Sequence, residues 1–316
     1  MKTISHIQNN IYTGIFHNID FEKIVDHPNI LIAASFWDKE RYQAALNCYK
    51  FMRAIDDLID NYKTEHVKIG PDNQARFEAD VYRWISTVID TSSEIPTRCE
   101  LIDTIRRFKI PFWPLEAFAR SMVYDIYNDG FPTLGGFINY AGGASVAPAS
   151  IFVHLCGLKY QDGQYLPPAF DVKEAATPCA IFSYLVHIIR DFRKDHLNNL
   201  NYFPDDIIDA YNLDRRQLRL MAEGRPVTAG FRRMIGELYH VADQYREKTL
   251  KMISQIKPLV EPRSQLSLEI IFSLYLMVFE RIDLKKGTFA TEELNPNWMD
   301  IKSRVWQVIE DFVPAA

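Results

Sequence analysis

Three aspartates lie close together in the segment Arg53–Asp60, which otherwise has the apolar pattern of a buried helix. Asp56 and Asp60 are four positions apart, so on a helix they lie one above the other on the same face. Like charges at this spacing repel each other, and the repulsion grows when the side chains are desolvated. Carboxylate oxygens are the preferred ligands of hard divalent cations. The spacing therefore predicts a cation site, with Mg²⁺ as the natural occupant.

A second aspartate pair repeats this spacing later in the chain. Asp191 and Asp195 follow the strongly apolar segment 179–189, and an arginine accompanies each pair, Arg53 the first and Arg190 the second. Alone, such a run of charges is typical of a solvated helix end. The repetition instead indicates that four carboxylates converge on one site. Because arginine binds phosphate oxygens by bidentate hydrogen bonds, we expect a Mg²⁺-bound diphosphate there.

Helices must position these pairs, and the composition predicts an all-α protein. Only 13 of the 316 residues are glycine, and no stretch of useful length alternates polar and apolar residues as a strand does. We predict ten or so helices in a single domain over residues 1–316, with residues 1–18 as an irregular arm. The net charge of −5 lacks the basic bias expected of a protein that binds nucleic acid.

Two predicted helices carry the aspartates. The first runs from about Lys39 to Asn61, with Asp38 as its N-cap, and the second from about Pro168 or Pro178 to Asn198. Both pairs would then lie towards helix C-termini, where the helix dipole disfavours anions and a bound cation would relieve the strain. The polar stretch between them, 159–167, predicts a loop.

The segment 140–149 is rich in small residues, and Gly142, Gly143 and Pro148 are expected to bend or break a helix. Two interpretations remain open. Small side chains could allow close helix packing, or the bend could open room for a long apolar ligand. The predicted helices behind the aspartates carry aliphatic and aromatic side chains. The group attached to the diphosphate should therefore be apolar, as in an isoprenoid diphosphate.

These segments resemble the squalene/phytoene synthase family of head-to-head prenyltransferases, over about residues 30–285. The similarity implies a class I isoprenoid synthase bundle of helices around a central cavity. Five parts of the chain carry the resemblance, namely an N-terminal signature at Ser35, Phe36 and Arg41, a first aspartate motif at 49–60, a central helix at 140–147, a second aspartate motif at 187–195 with its exit at 201–204, and a C-terminal part around Tyr245 and at 279–282.

The resemblance implies roles for single residues. The predicted metal-binding and catalytic residues are Asp56, Asp60, Asp191 and Asp195. The predicted substrate-binding residues are Ser35, Tyr49, Arg53, Tyr140, His187, Arg190 and Arg281. The family usually has Asn where His187 stands, and its usual Arg-Tyr before the central helix is replaced by Asn128 and the residues that follow.

The resemblance also implies an activity. Two prenyl diphosphates, with farnesyl diphosphate favoured over geranylgeranyl diphosphate, would condense through a cyclopropylcarbinyl diphosphate to a linear squalene- or phytoene-type terpene. Mg²⁺ is the expected cofactor, and the squalene branch adds reduction by NADPH.

A class I terpene cyclase and a head-to-tail elongating enzyme remain alternatives, although the second motif lacks the cyclase pattern. An inactive assembly or scaffold protein is a third alternative, but such a protein would be expected to lose carboxylates that this chain keeps.

Localisation is expected to be cytoplasmic. The N-terminus lacks the apolar core of a signal peptide, the C-terminus carries no anchor, and the apolar run 270–278 is shorter than a bilayer span. The scattered cysteines are typical of reduced thiols. A peripheral membrane contact would suit the release of an apolar product, and the sequence indicates no particular oligomeric state.

Overall fold

The structure, a computed structural model, describes residues 11–23, 29–66, 68–89 and 96–315. These residues are helical almost throughout, which confirms the all-α prediction. Shorter elements are a π-helical segment (Gly142–Val146), a 3₁₀ turn (Lys257–Leu259) and a hairpin of β1 (Lys159–Gln161) and β2 (Gln164–Leu166). In chain order the helices are α1 (11–17), α2 (Asn29–Ala34), α3 (Lys39–Glu65), α4 (Pro71–Ile89), α5 (Pro96–Phe108), α6 (Trp113–Tyr127), α7 (Leu134–Ala141), α8 (Ala147–Gly157), α9 (Val172–Arg190), α10 (Phe192–Leu197), α11 (Asp205–Ala210), α12 (Arg215–Ala222), α13 (Ala229–Ile256), α14 (Pro262–Arg281), α15 (Thr291–Leu294) and α16 (Trp298–Asp311).

Helix α3, which carries the first aspartate pair, begins as the sequence predicts. The Asp38 carboxylate accepts the backbone N–H of Arg41 at 2.9 Å and so caps the first turn. The helix ends at Glu65, however, beyond the predicted end at Asn61. The first aspartate pair therefore lies inside the helix, and the expectation that a helix C-terminus disfavours its charge is wrong for this pair.

Helix α9 ends within the second aspartate motif. Asp191 (φ −90°, ψ 4°) closes α9 and opens α10, so the predicted single helix to Asn198 is divided there. The four-residue spacing survives the break. The Asp191 N–H donates to the carbonyl oxygen of His187 at 2.8 Å, and its own carbonyl oxygen accepts the N–H of Asp195 at 2.8 Å. Both carboxylates thus remain on one side of the chain.

The small-residue segment forms α7, the π-helical segment and α8. At the start of the π-helical segment the hydroxyl of Ser121, from α6, donates to the carbonyl oxygen of Tyr140 at 2.9 Å. A Cβ atom on Gly143 would lie 2.2 Å from the Ser121 Oγ and 2.3 Å from the carbonyl oxygen of Ala117. Gly143 therefore permits the close packing of α6 against this segment.

The N-terminal residues 11–17 are helical, so the prediction of an irregular arm is wrong for them. Tyr12 and Phe16, four residues apart, are buried on one face and pack against α16 and the residue after it. The ring centroid of Phe16 lies 5.0 Å from that of Trp306, and that of Tyr12 lies 5.8 Å from that of Phe312. Residues 1–10 lie outside the described residues, and the single domain over 1–316 stays a prediction.

The predicted loop at 159–167 is instead mostly the hairpin β1–β2, in which Lys159 pairs with Leu166 in antiparallel register. Its turn residues Asp162 and Gly163 have φ values of 51° and 80°. Two positive φ values in a two-residue turn match the twist of antiparallel strands, and Asp-Gly is a favoured pair there. The polar composition therefore marked a turn between two very short strands.

Helix α8 connects the two aspartate helices. It packs against α3 on one side and α9 on another, while α9 also packs against α13 and α14. These helices enclose the cavity described below. In the described parts of the chain, no helix combines the length and apolar character needed to cross a membrane.

Candidate active site

An apolar cavity of about 340 Å³ lies among α2, α3, α8, α9, α13 and α14. Its size is within the usual range for a small-molecule site. Most lining side chains are aliphatic, whereas an arginine, a histidine and three tyrosines lie at the end nearest the aspartate motifs. This end is called the mouth, and the lining residues that define it are Tyr49, Arg53, Tyr184, His187 and Tyr275.

Arg53 joins the first aspartate motif to the mouth. Its guanidinium lies 2.9 Å from a carboxylate oxygen of Asp56 and 2.6 Å from one of Asp57. Burial, and then the charge of Asp60, raise the pKa of Asp56 to about 7. Arg53 alone therefore does not neutralise Asp56 and Asp60, and a further cation would stabilise their charged forms.

Arg190 holds the second motif by a bidentate contact. Its Nε and one terminal nitrogen donate to the two carboxylate oxygens of Asp191 at 2.8 and 2.6 Å. Burial raises the pKa of Asp191, but the hydrogen bonds and charge of Arg190 outweigh it, so the pKa falls below its usual value. Burial, and then the charge of Asp191, raise the pKa of Asp195 to about 8.

The two motifs face each other across the mouth. The charge of Asp60 adds to the increase in the pKa of Asp195, so the two carboxylates lie within electrostatic reach. The chain segments also touch, because the Asn199 side-chain amide lies 3.5 Å from the carbonyl oxygens of Lys63 and Thr64. The structure thus brings together the motifs that the sequence paired.

The donor set at the mouth fits Mg²⁺. No three His, Cys, Asp or Glu side chains of the described ranges are arranged to hold a metal by themselves. Mg²⁺ usually binds through one or two carboxylates together with substrate phosphate oxygens. The pairs Asp56/Asp60 and Asp191/Asp195 offer hard oxygen ligands, and burial is the main cause of the raised pKa of Asp56, Asp60 and Asp195, so a bound cation would favour their charged forms.

Asp125 in α6 is a further acidic group that sequence reasoning missed. It is 9% exposed, accepts a hydrogen bond from the Tyr140 hydroxyl and lies 3.8 Å from the Nζ of Lys63. Burial raises its pKa to about 6, against the charge of Lys63. Its charge also raises the pKa of Asp60, so it belongs to the same electrostatic cluster. The sequence offered one signal for Asp125: it lies three residues after Met122, on the apolar face of the α6 helix.

His187 presents a neutral imidazole to the cavity. Burial lowers its pKa to about 3, and its ring packs edge-on against Tyr275 with a centroid distance of 5.3 Å. Its buried Nε2 has no hydrogen-bond partner among the described residues. The side chain therefore offers a free polar atom to a ligand at the mouth.

Tyr140 and Tyr184 extend the aromatic wall of the mouth, with ring centroids 6.3 Å apart. Tyr184 lines the cavity, as Tyr49 and Arg53 do. Tyr140 lies behind it and reaches the cluster through Asp125. The predicted positions Tyr49, Arg53 and His187 thus contact the cavity directly, whereas Tyr140 contacts a residue of the acidic cluster.

Ser35 and Arg281 do not line the cavity. The Ser35 hydroxyl donates to the carbonyl oxygen of Leu31 at 2.8 Å. Arg281 pairs with Asp300 of α16 at 2.8 Å and donates to the carbonyl oxygen of Met277 at 3.2 Å. Each side chain therefore bonds to a carbonyl oxygen near the end of a helix. These positions do not support the predicted contact of Ser35 and Arg281 with substrate.

Comparison with solved structures shows the same fold in several proteins. One is a dehydrosqualene synthase in complex with a ligand, with a TM-score of 0.69 and 15% identity, covering 95% of this chain and 98% of that chain. A second is the squalene synthase HpnC from Alicyclobacillus acidocaldarius, with a TM-score of 0.59 and 15% identity over 83% and 90%. A third is YisP from Bacillus subtilis subsp. subtilis strain 168, with a TM-score of 0.58 and 14% identity over 96% and 97%.

Sequence comparison assigns the family. A search of curated proteins finds no match. The family model for squalene/phytoene synthase matches residues 27–298, which include both aspartate motifs and every helix that lines the cavity. By this match, the chain belongs to the squalene/phytoene synthase family and is a prenyltransferase.

Proposed function

We propose that this protein joins two molecules of farnesyl diphosphate head to head, in a Mg²⁺-dependent reaction that passes through a cyclopropylcarbinyl diphosphate to a linear squalene- or phytoene-type terpene. Head-to-head condensation of prenyl diphosphates is the general activity of the family. The observation that carries the proposal is the meeting of two aspartate motifs at one end of an apolar cavity. A substrate with a charged head and an apolar chain fits both parts.

The charged residues of the mouth have separate tasks in this proposal. Arg53 and Arg190 would contact the diphosphate, since each already holds a carboxylate by short ion pairs and has further donors available. The carboxylates of both motifs would hold Mg²⁺, which when bound would draw charge from the leaving diphosphate. The imidazole of His187 is neutral, so it adds no charge beside the apolar chain.

The apolar wall would protect the allylic cation that remains after diphosphate leaves. Its lining is mostly aliphatic, so water is a poor competitor for the cation there. The rings of Tyr49, Tyr184 and Tyr275 lie at the mouth, where the face of an aromatic ring can stabilise a cation. The second prenyl chain then meets the cation in a dry environment.

Product analysis tests the proposal. The protein is incubated with farnesyl or geranylgeranyl diphosphate and Mg²⁺, with and without NADPH, and the apolar extract is analysed. We expect a linear triterpene from farnesyl diphosphate, and no product when EDTA removes the metal. The effect of NADPH decides between the squalene-type and phytoene-type branches.

Each other outcome points to a different protein. A cyclic sesquiterpene would indicate a terpene cyclase, and a longer linear diphosphate would indicate head-to-tail elongation. Diphosphate release that survives EDTA would remove the role of Mg²⁺. If none of the diphosphates binds, the assignment of a Mg²⁺–diphosphate site is wrong, and an assembly role is the alternative to test.

A further inference from the structure

We infer that Ala45 of α3 and Ala176 of α9 limit the length of the prenyl chain that the cavity accepts, because their small side chains line the end of the cavity that the last isoprene unit would reach. This inference rests on the proposed function, since it places a prenyl diphosphate with its charged head at the mouth. It adds residues that would limit the chain length of the substrate.

The cavity has a second end opposite the mouth. On α3 the lining face begins at Ala45 and runs through Cys48 and Met52 to Arg53, directly before the first aspartate pair. On α9 the lining face begins at Ala175 and Ala176 and ends at His187, directly before the second pair. The alanines are thus the lining residues farthest from the carboxylates on their helices. This end, defined by Ala45, Ala175, Ala176 and Ile256, is called the floor.

Contacts beyond the floor close it. Arg41, one turn before Ala45, is 3% exposed and pairs with Glu261 at 2.9 Å. Glu261 is the N-cap position of α14 and follows shortly after Ile256. The thiol of Cys156, at the end of α8, donates to the carbonyl oxygen of Ser264 at 3.4 Å. Helix ends from α3, α8, α13 and α14 therefore meet below the floor.

The helical rise gives the depth of the cavity. Ala45 lies eleven residues before Asp56, which at about 1.5 Å per residue is roughly 16 Å. Ala176 lies fifteen residues before Asp191, which is roughly 22 Å on the same basis. The diphosphate occupies part of this length. An isoprene unit adds four chain bonds of about 1.5 Å, hence roughly 5 Å when extended, so three units span roughly 15 Å and four roughly 20 Å, and the last unit of such a chain comes to lie at the floor.

Larger side chains at the two alanines would shorten the cavity. Ala45 is 8% exposed and Ala176 is 1% exposed, and both present a single methyl group to the cavity. A leucine at either position would fill the space of the last isoprene unit. The longest chains would then lose affinity first, and a two-unit chain would not reach the new side chain. General damage to the fold would affect all chains alike.

Calorimetric binding of geranyl, farnesyl and geranylgeranyl diphosphates in the presence of Mg²⁺ tests the inference. For Ala176→Leu and Ala45→Leu we expect the Kd for farnesyl diphosphate to rise about tenfold or more, and that for geranyl diphosphate to change less than about twofold. Thr177→Leu is the matched control, since Thr177 follows Ala176 but is not a lining residue and its hydroxyl bonds to the carbonyl oxygen of Lys173. All three affinities should stay unchanged in this control.

Parallel loss of geranyl and farnesyl affinity in folded variants would overturn the inference, and so would no change in either. If a leucine variant does not fold, Ala45→Val and Ala176→Val add smaller groups at the same positions, and the same ratio of affinities decides. The wild-type protein separates this result from the proposed function. If it binds none of the three diphosphates, the proposed function fails; if it binds farnesyl diphosphate while the variants do not discriminate, only the chain-length inference fails.

Discussion

The charged residues at the mouth are unevenly paired. Arg53 is shared between Asp56 and Asp57, and Arg190 is committed to Asp191. Within the described ranges, Asp60 and Asp195 form no ion pair, and the pKa values of both are raised. Ionisation of these two carboxyls is therefore unfavourable without a cation, and a bound cation would stabilise their charged forms.

Substitution of the motif carboxylates should separate activity from stability. Asp56→Asn or Asp191→Asn should lower turnover of farnesyl diphosphate by more than about 100-fold, because each removes a hard oxygen ligand. Thermal unfolding measures stability separately: Asp56→Asn should show little loss, since it relieves repulsion with Asp60, whereas Asp191→Asn should lower stability as well, because it removes the carboxylate that pairs with Arg190. Asp57→Asn is the control, because Asp57 pairs with Arg53 on the more exposed side of the motif. Near-normal activity of Asp56→Asn would show that the site is assigned to the wrong residues.

The buried pair of Lys63 and Asp125 should stabilise the fold only when both partners are present. Lys63→Met leaves the Asp125 carboxylate without its cation, so we expect about 3 kcal/mol lower free energy of unfolding in urea. In the double variant Lys63→Met/Asp125→Asn most of that loss should be recovered, because no unpaired charge remains. Equal losses in the single and double variants would mean that the two side chains act independently.

The sequence identified the aspartates of a repeated motif and missed one whose surroundings depend on tertiary contacts. Asp56 and Asp191 were predictable because each has a partner four residues later. Asp125 also has an aspartate four residues later, but α6 ends at Tyr127 and that aspartate, Asp129, pairs with Arg215 instead. The contacts of Asp125 with Lys63 and Tyr140 depend on three different helices. Arg281 was instead predicted to bind substrate but pairs with Asp300 in the structure. The sequence could not reveal that these two residues lie close together.

At the scale of the elements, the two helices with aspartates differ in how they hold their charges. Helix α3 continues past its pair, whereas α9 ends at Asp191 and the chain continues as α10. The start of α3 was predictable, because aspartate is a favourable N-cap residue and Asp38 caps the helix. Neither helix end was predictable, because neither carries the glycine that often marks a helix C-terminus and the exact end depends on packing.

The two glycines of the π-helical segment should respond differently to the same substitution. Gly143→Ala should lower the free energy of unfolding by about 1–3 kcal/mol, because its Cβ would overlap the Ser121 Oγ and the Ala117 carbonyl oxygen. Gly142→Ala is the matched control, since no heavy atom lies within 4 Å of its Cβ and its φ is helical. Chemical denaturation measures both, and equal effects would contradict the packing role of Gly143.

At the scale of the whole molecule, the helices enclose a cavity. Charged residues lie at its mouth, and helix ends close its floor. The all-α fold followed from periodicity. The depth of the cavity could not be predicted, because it depends on which residues of different helices line its far end, such as Ala45 and Ala176. The Arg41–Glu261 pair joins residues far apart in the chain, so it too required the structure.

The stability of the molecule should fall in mild acid partly through His154. Its ring nitrogen lies 2.8 Å from the carbonyl oxygen of Phe108, and burial lowers its pKa below the usual value of 6.5. The unfolded chain therefore binds a proton first, and stability is lost as the pH falls below about 6.5, by at most about 1.4 kcal/mol per pH unit.

Urea denaturation of the wild-type protein and of His154→Gln between pH 7 and pH 5 measures this contribution. The difference between them should shrink as the pH falls, because Gln does not titrate. The carboxyls with raised pKa, such as Asp125, act in the opposite direction but equally in both proteins. A constant difference across this range would show that His154 does not bind its proton preferentially in the unfolded chain.

The π-helical segment also has a consequence for how related chains should be aligned. A π turn holds one residue more than an α turn, so the residues after Val146 occupy a face that a regular helix would assign to their neighbours. Here that shift places Ala144, Pro148 and Ala149 on the cavity wall while Tyr140 turns towards Asp125. A relative with a regular helix would superimpose on both halves yet need a one-residue gap between them. Insertion or deletion of one residue at this point would therefore change which residues of such a chain line the cavity.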